Sequence, residues 1–220
     1  MKPAFIVTVH QSAQYRPNGH ALLDTYISSL SDNLKLEYDL FILENASENP
    51  YTFPKNSHYR YFPDQQGGMT RCWNEGVRMA IENGNDVFCV TNEDLIFNDT
   101  INNLFRVIEA HSERDRSVYG PICDNRTTFP PQRRNTCSHT IRDITGNQYP
   151  IHGWFTAFNK EYYNTYNVNG NIFDPALKWR KQECFQENNW KKGAKSFVVD
   201  SCLVHHEHIG SWRKPEKIIK

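Results

Sequence analysis

Residues 86–99, DVFCVTNEDLIFND, decide how this chain folds. Residues 87–90 are an unbroken apolar run, the mark of a strand buried on both faces. The run passes directly into an acidic tip, Asn92-Glu93-Asp94, and then into a second apolar pair, Leu95 and Ile96. Asn98 and Asp99 follow, residue types whose short side chains cap helices. A strand of this kind delivers its next side chains to the carboxyl edge of a sheet, where open α/β folds bind ligands. Oxygen ligands fixed there, beside a diphosphate, suit Mg²⁺ or Mn²⁺. The plain alternative is a strand that ends in a polar turn.

The same alternation of buried strand and amphipathic helix extends outward in both directions. Residues 4–9 (AFIVTV) form a first apolar strand, and residues 10–19 a loop that turns at Pro17-Asn18-Gly19. Leu22, Leu23, Tyr26, Ile27, Leu30 and Leu34 share one helical face, and residues 38–43 (YDLFIL) make the next strand. Strand, helix, strand in this order implies a right-handed parallel unit. Residues 59–62 read as a short third strand. Met69, Trp73, Val77 and Ile81 then repeat every four residues as a helix that Gly84 ends. Beyond the acidic tip, Ile101, Leu104, Phe105 and Ile108 predict another helix, followed by a strand near residues 118–121. The expected architecture is α/β, a mostly parallel central sheet flanked by helices.

Past Cys123 the character changes. Residues 123–150 are polar, with Pro130-Pro131 and the arginines Arg126, Arg133, Arg134 and Arg142. A loop this long inside a compact domain is usually functional, and this one is expected to be a mobile flap over the site. Residues 151–158 rejoin the sheet, residues 173–192 contain a mostly polar helix, and residues 196–204 supply one or two late strands. The tail from His205 to Lys220 is polar and basic. The reading is a single domain over 1–220. Residues 1–122 form a nucleotide-binding half, and 123–220 an acceptor-binding half with its tail.

Bulk composition removes several classes. The 220 residues carry 25 basic and 25 acidic side chains, so no global field attracts nucleic acid or a membrane surface. No apolar stretch approaches the roughly 20 residues of a membrane span. Six cysteines lie scattered without metal-site spacing, most of them in apolar segments, as expected of buried thiols in a reducing compartment. With no visible signal peptide, the expectation is a cytoplasmic protein and the sequons at Asn45, Asn98 and Asn125 are chance matches.

The order of the motifs resembles that of the GT-A glycosyltransferases, family-2 type, over nearly the whole chain. Residues 5–9 are similar to the family's nucleotide-binding first strand. Leu43-Glu44-Asn45-Ala46-Ser47 resembles its Val-Asp-Asn-Gly-Ser turn. Residues 67–76, GGMTRCWNEG, resemble its glycine-then-Asn-x-Gly helix start, and Thr91-Asn92-Glu93-Asp94 stands where Asp-x-Asp is usual. The resemblance implies a nucleotide-diphosphate sugar donor (UDP-, GDP- or dTDP-linked) held by Thr8, His10, Glu44, Arg71, Asn92 and Asp94. Glu44 would accept from a nucleobase or ribose, with an exposed turn carboxylate as the alternative. Arg71 would meet the diphosphate at a helix amino end, with a surface pair to Glu75 as the alternative. Asn92 replaces the first Asp, which leaves Asp94 as the expected ligand of Mn²⁺ or Mg²⁺.

In the second half, His152-Gly153-Trp154-Phe155 resembles the family's acceptor-side segment. His152 and Trp154 are the implied acceptor contacts, and ordinary core packing is the alternative for Trp154. Gln182-Glu183 falls on the Glu-Asp pair of the pattern, so Glu183 is the implied catalytic base of an inverting transfer, with Glu187 its rival one turn later. The run His205-His206-Glu207-His208 resembles a late strand that ends in a functional histidine, and His206 is favoured to complete the metal site. The implied activity is metal-dependent transfer of a hexosyl or deoxyhexosyl group to a hydroxyl of a glycan or other acceptor. A nucleotidyltransferase is the nearest rival, although residues 10–16 lack its glycine-rich loop. A non-catalytic sugar- or protein-binding module is the other alternative.

Overall fold

The structure, a computed structural model, describes residues 1–13, 16–52, 57–64, 66, 68–125, 128–177 and 183–207. Gln182, His208, Arg126 and the residues from 209 onward lie outside that set. The first half alternates as the apolar periods predict: β1 (Pro3–Val9), α1 (Gly19–Asn33), β2 (Asp39–Asn45), β3 (Ser57–Phe62), α2 (Gly68–Glu82) and β4 (Val87–Asn92). Then come β5 (Leu95–Ile96), α3 (Ile101–Ala110), β6 (Ser117–Cys123), β7 (Ile141–Asp143), β8 (Phe155–Asn159), α4 (Lys160–Tyr166), α5 (Cys184–Trp190) and β9 (Lys195–His206). The sheet order is β3-β2-β1-β4-β8-β6-β9-β5, with β7 on β9.

β3, β2, β1 and β4 run parallel. β8 enters antiparallel between β4 and β6, so the sheet is mixed rather than parallel throughout. One apolar cluster, with α1 and α3, covers one face through Tyr26, Leu30, Leu104 and Phe105. The other face packs on α2 through Cys72, Trp73 and Val77. The glycine of the Asn-x-Gly motif allows that approach: a Cβ on Gly76 would sit 2.3 Å from Ile6 Cγ2 of β1. Ala46, at the glycine position of the β2 turn, has φ 54°, the left-handed region that costs a Cβ-bearing residue about 1–2 kcal/mol.

The segment expected to be a mobile flap is docked along its described length. β7 pairs with β9, Gln132 is fully buried, and its Nε2 donates to Pro121 O at 2.9 Å. The anchor is Asp200, which sits where the β6–β9 register slips between Pro121 and Ile122. Such an irregularity re-aims a side chain. Buried Asp200 accepts from Arg142 Nε (2.7 Å) and Nη2 (2.7 Å), from Thr140 Oγ1 (2.8 Å) and from Arg134 Nη1 (3.2 Å). Burial would raise its pKa, but Arg142, Thr140 and Arg134 together hold it below the ordinary value. Two of the arginines that suggested a flap are therefore what ties the segment down.

Candidate active site

The parallel strands end level. Thr8 pairs with Asn92 across β1 and β4, and Val9 with Glu44 across β1 and β2. Thr8 Oγ1, Asn45 Nδ2, Asn92 Oδ1 and Glu93 Oε2 are buried there with no hydrogen-bond partner among the described residues. Buried polar atoms are normally satisfied, so four at one sheet edge mark a place built to receive polar groups.

The other donor-side residues are tied into the protein. His10 Nδ1 donates to Asn45 O at 2.8 Å, and burial, foremost among several influences, lowers its pKa. Glu44 is fully buried and accepts from His20 Nε2 (2.8 Å), Tyr51 N (2.8 Å) and Tyr59 OH (2.6 Å). Burial works to raise its pKa, yet Ser47, Tyr59, Tyr51 and His20 pull it below the usual value. Both oxygens are thus engaged by protein donors. Arg71, in the first turn of α2, lies over the Phe62 ring at 4.4 Å and donates to Asp64 Oδ1 (2.9 Å) and Asn45 Oδ1 (3.2 Å). It is not the partner of Glu75, which pairs with Arg60 and Arg78.

The acidic tip is turned inward. Glu93 is 0% and Asp94 4% exposed, because β5 directly after them pairs with the end of β9, setting Leu95 opposite His206. That pairing brings His206 Nε2 to 3.2 Å from Asp94 Oδ1, across 112 residues of sequence (206 − 94). His205 points away, its Nδ1 2.8 Å from Asp124 Oδ2. The residue that sequence reasoning missed is Arg16. It is 1% exposed, and its Nε donates to Glu93 Oε1 at 2.6 Å and its Nη2 to Asp94 Oδ2 at 3.0 Å. Burial opposes the guanidinium charge, but the two carboxylates outweigh it and raise its pKa. Burial pushes Glu93 up to about 7 against the pull of Arg16. Asp94, despite burial, is lowered to about 2 by His206 and Arg16. A cavity of about 230 Å³ opens beside Asp94, lined also by Thr25, Ile96 and Glu207.

This donor set does not fit the expected Mn²⁺ or Mg²⁺. Asp94 and His206 do meet, but Arg16 holds the second oxygen of Asp94 and one oxygen of Glu93. Among the described residues no three His, Cys, Asp or Glu side chains converge as a metal set. A divalent ion about 4 Å from the guanidinium would be repelled by about 8 kcal/mol at an effective permittivity of about 20.

The residues expected on the acceptor side gather around 152–154. Trp154 O accepts from Asn92 N at 3.1 Å, which joins this segment to the tip of β4. Gly153 N donates to Glu183 Oε1 at 3.0 Å, and His152 Nε2 lies 3.9 Å from the same oxygen. Glu183 stands at the residue before α5 without a side-chain capping bond, and burial raises its pKa, which suits a carboxylate asked to hold a proton. Glu187, the rival, is exposed on the next turn. Trp154 is 2% exposed and its ring stacks on His206 at 5.5 Å, which matches the core alternative for this residue. The accessible rings lie elsewhere. Phe129 stacks on His152 at 4.1 Å and meets Tyr149, 37% exposed, at 5.4 Å. Phe129 and Tyr149 sit in the polar stretch between strands, where no apolar period singles them out.

No protein-family model and no curated protein matches the sequence. Solved structures do match. TarS of S. aureus, residues 1–349 in complex with UDP, aligns at TM-score 0.65 and 15% identity, over 93% of this chain and 60% of that one. GalNAc-T7 with UDP, GalNAc and Mn²⁺ aligns at TM-score 0.67 and 10% identity, over 94% of this chain and 44% of that one. The chain has the GT-A fold. A second TarS 1–349 structure agrees, at TM-score 0.63 and 14% identity over 94% of this chain and 60% of that one. The chain therefore spans less than two thirds of these neighbours. At such identities the GT-A fold is what they share, and UDP, GalNAc and Mn²⁺ belong to the neighbours' own sites. No described helix is long and apolar enough to cross a membrane.

Proposed function

We propose that this GT-A chain is a glycosyltransferase that moves a hexosyl or deoxyhexosyl group from a nucleotide-diphosphate sugar to a hydroxyl of a glycan or other acceptor, with inversion. The observation that carries the reading is the joining of two chemistries at one sheet edge. Unpartnered polar atoms at Thr8, Asn45 and Asn92, among the described residues, lie on one side, and the half-buried carboxylate of Glu183 on the other, linked through residues 152–154. TarS and GalNAc-T7, which share the fold, hold UDP, and this supports a nucleotide-sugar donor.

In this reading residues 1–122 hold the donor and residues 123–207 the acceptor. Glu183 takes the proton of the acceptor hydroxyl as its oxygen attacks the anomeric carbon, and the nucleoside diphosphate departs with the electrons of the broken bond. The stack of Phe129 on His152 offers a ring face for a sugar ring, as Trp154 does not. Arg71 and the amino end of α2 favour the departing diphosphate. The metal-dependent form of the reading requires Arg16 to leave Asp94, so no step is routed through a metal. The six free cysteines fit a cytoplasmic setting.

The test is turnover with a panel of UDP-, GDP- and dTDP-sugars and mixed glycan acceptors, with the product's anomeric configuration read by NMR. An inverted linkage supports Glu183 as base, and a retained one refutes it. The seating of Arg16 in the acidic tip favours one second reading, a non-catalytic sugar- or protein-binding module on the same fold. Donor binding without turnover against any acceptor would support that reading.

A further inference from the structure

We propose that Arg16 is the resident cation of the acidic tip, seated where a divalent ion would have to sit, so that this protein binds its donor's diphosphate without a metal. The ligand in this inference rests on the glycosyltransferase reading, whereas the cation assignment rests on geometry alone.

Three observations converge on Arg16. First, one guanidinium satisfies two different carboxylates: Nε reaches Glu93 Oε1 at 2.6 Å and Nη2 reaches Asp94 Oδ2 at 3.0 Å. The planar fork of arginine suits this, and its charge persists at any working pH. Second, the fold builds the loop to keep it there. Arg16 and Ser12 exchange both backbone hydrogen bonds, Arg16 N to Ser12 O at 3.0 Å and Ser12 N to Arg16 O at 3.2 Å. Gly19 N, at the start of α1, donates to Arg16 O at 3.4 Å, and a Cβ on Gly19 would overlap His10 O at 2.1 Å. Third, the tip has too little negative charge for two cations. Asn92 is an amide, and the two carboxylates of the tip, Glu93 and Asp94, are both already paired with Arg16. A buried divalent ion beside the seated guanidinium would leave a net positive charge out of water, which proteins avoid.

Arg16 is a positioning residue: it acts on the site through Glu93 and Asp94 and does not itself reach the surface. An uncharged side chain of similar length should then leave the carboxylates of Glu93 and Asp94 without their cation and open to a divalent ion. A merely structural arginine would not do this, because its loss would loosen the fold without creating affinity for a cation.

The experiment pairs Arg16→Met with Arg16→Lys, each checked for folding by circular dichroism. Free Mn²⁺ is titrated by electron paramagnetic resonance without nucleotide, and UDP, GDP and dTDP affinities are measured in EDTA and in Mn²⁺. The wild type should show no saturable Mn²⁺ site, and its nucleotide affinity should change less than about twofold between EDTA and Mn²⁺. Arg16→Met should gain a Mn²⁺ site, bind nucleotide about tenfold or more weakly in EDTA, and recover most of that loss in Mn²⁺. Arg16→Lys should stay metal-independent. A wild type whose nucleotide affinity rises tenfold or more with Mn²⁺ overturns the proposal, and that arm holds even if Arg16→Met does not fold. A folded Arg16→Met that gains no Mn²⁺ site also overturns it. If the wild type binds none of the three nucleotides under either condition, the functional reading fails, and the Mn²⁺ titration alone decides the role of Arg16.

Discussion

Glu93→Gln is the sharpest probe of the acidic tip. Glu93 is fully buried, and burial outweighs its bond to Arg16, so its pKa rises from 4.5 to about 7. Below pH 4.5 the carboxyl is protonated in both the folded and the unfolded chain. Between 4.5 and about 7 the unfolded chain releases the proton while the folded chain keeps it, so stability falls as pH rises. Above about 7 both states are ionised and the loss is complete. A move of that size corresponds to about 3 kcal/mol. Glutamine keeps an oxygen for Arg16 Nε and cannot ionise. Unfolding free energies of wild type and variant, from guanidinium titrations followed by tryptophan fluorescence, should therefore diverge in the variant's favour by about 3 kcal/mol between pH 4.5 and pH 8. In thermal melts the same divergence is about 6–12 °C for a chain of this size. The difference between the two proteins isolates this group, because the other titrating residues are common to both. Parallel curves would refute the buried, proton-holding Glu93. A variant that loses ground as pH rises would mean that the ion pair with Arg16 outweighs burial.

Glu183→Gln preserves the acceptor for Gly153 N and should lower turnover by about two to four orders of magnitude with donor affinity unchanged. Glu187→Gln should do far less, and the reverse order in steady-state kinetics would move the base one turn along α5. Phe129→Ala should raise the acceptor KM by up to about tenfold and leave donor binding alone, since the ring is offered only to the acceptor side; an unchanged acceptor KM removes the platform. Asp200→Asn should cost about 2 kcal/mol and lower Tm by about 4–8 °C, less than a fully buried pair because Arg142 and Arg134 are partly exposed. Limited proteolysis should then cut within residues 128–150, and an uncut segment would mean that β7 and Gln132 suffice to hold it.

Periodicity was enough for the first half. The apolar runs at residues 4–9, 38–43 and 87–90 and the four-residue repeat of Met69, Trp73 and Val77 are local patterns, and they fell on β1, β2, β4 and α2. Strand direction is not a local property, so the antiparallel entry of β8 was invisible in its apolar run. The seven-residue α4 was missed too, although Asn159, whose Oδ1 accepts from Tyr162 N at 2.8 Å, is a readable cap. Motif order placed Asp94 and His206 as partners from opposite ends of the chain, and the structure brings them to 3.2 Å. What motif order could not convey is who else arrives there. Arg16 belongs to a loop with no period, and its target depends on how that loop closes over β4. The burial of Trp154 was open for the same reason: an apolar run does not say which ring faces the core.

The placement of Glu183 also bears on how the two halves of the site communicate. Its Oε1 holds Gly153 N, Trp154 O holds the amide of Asn92 at the tip of β4, and the Trp154 ring stacks on the His206 that meets Asp94. Glu183, strand end and acidic tip are thus joined through Gly153 and Trp154 by one backbone-to-side-chain hydrogen bond, one backbone hydrogen bond and one ring contact. A Cβ on Gly153 would stand 3.0 Å from Glu183 Oε1 and 3.5 Å from the Trp73 ring, so the link has no slack on either side. Packed elements of this kind move as a unit rather than bend. In the proposed reading, a diphosphate arriving at Asn92 would meet the chain of contacts that ends at the Glu183 oxygen. In that arrangement the resident guanidinium does more than balance charge. By holding Glu93 and Asp94 it fixes the acidic end of the contacts that lead to Glu183.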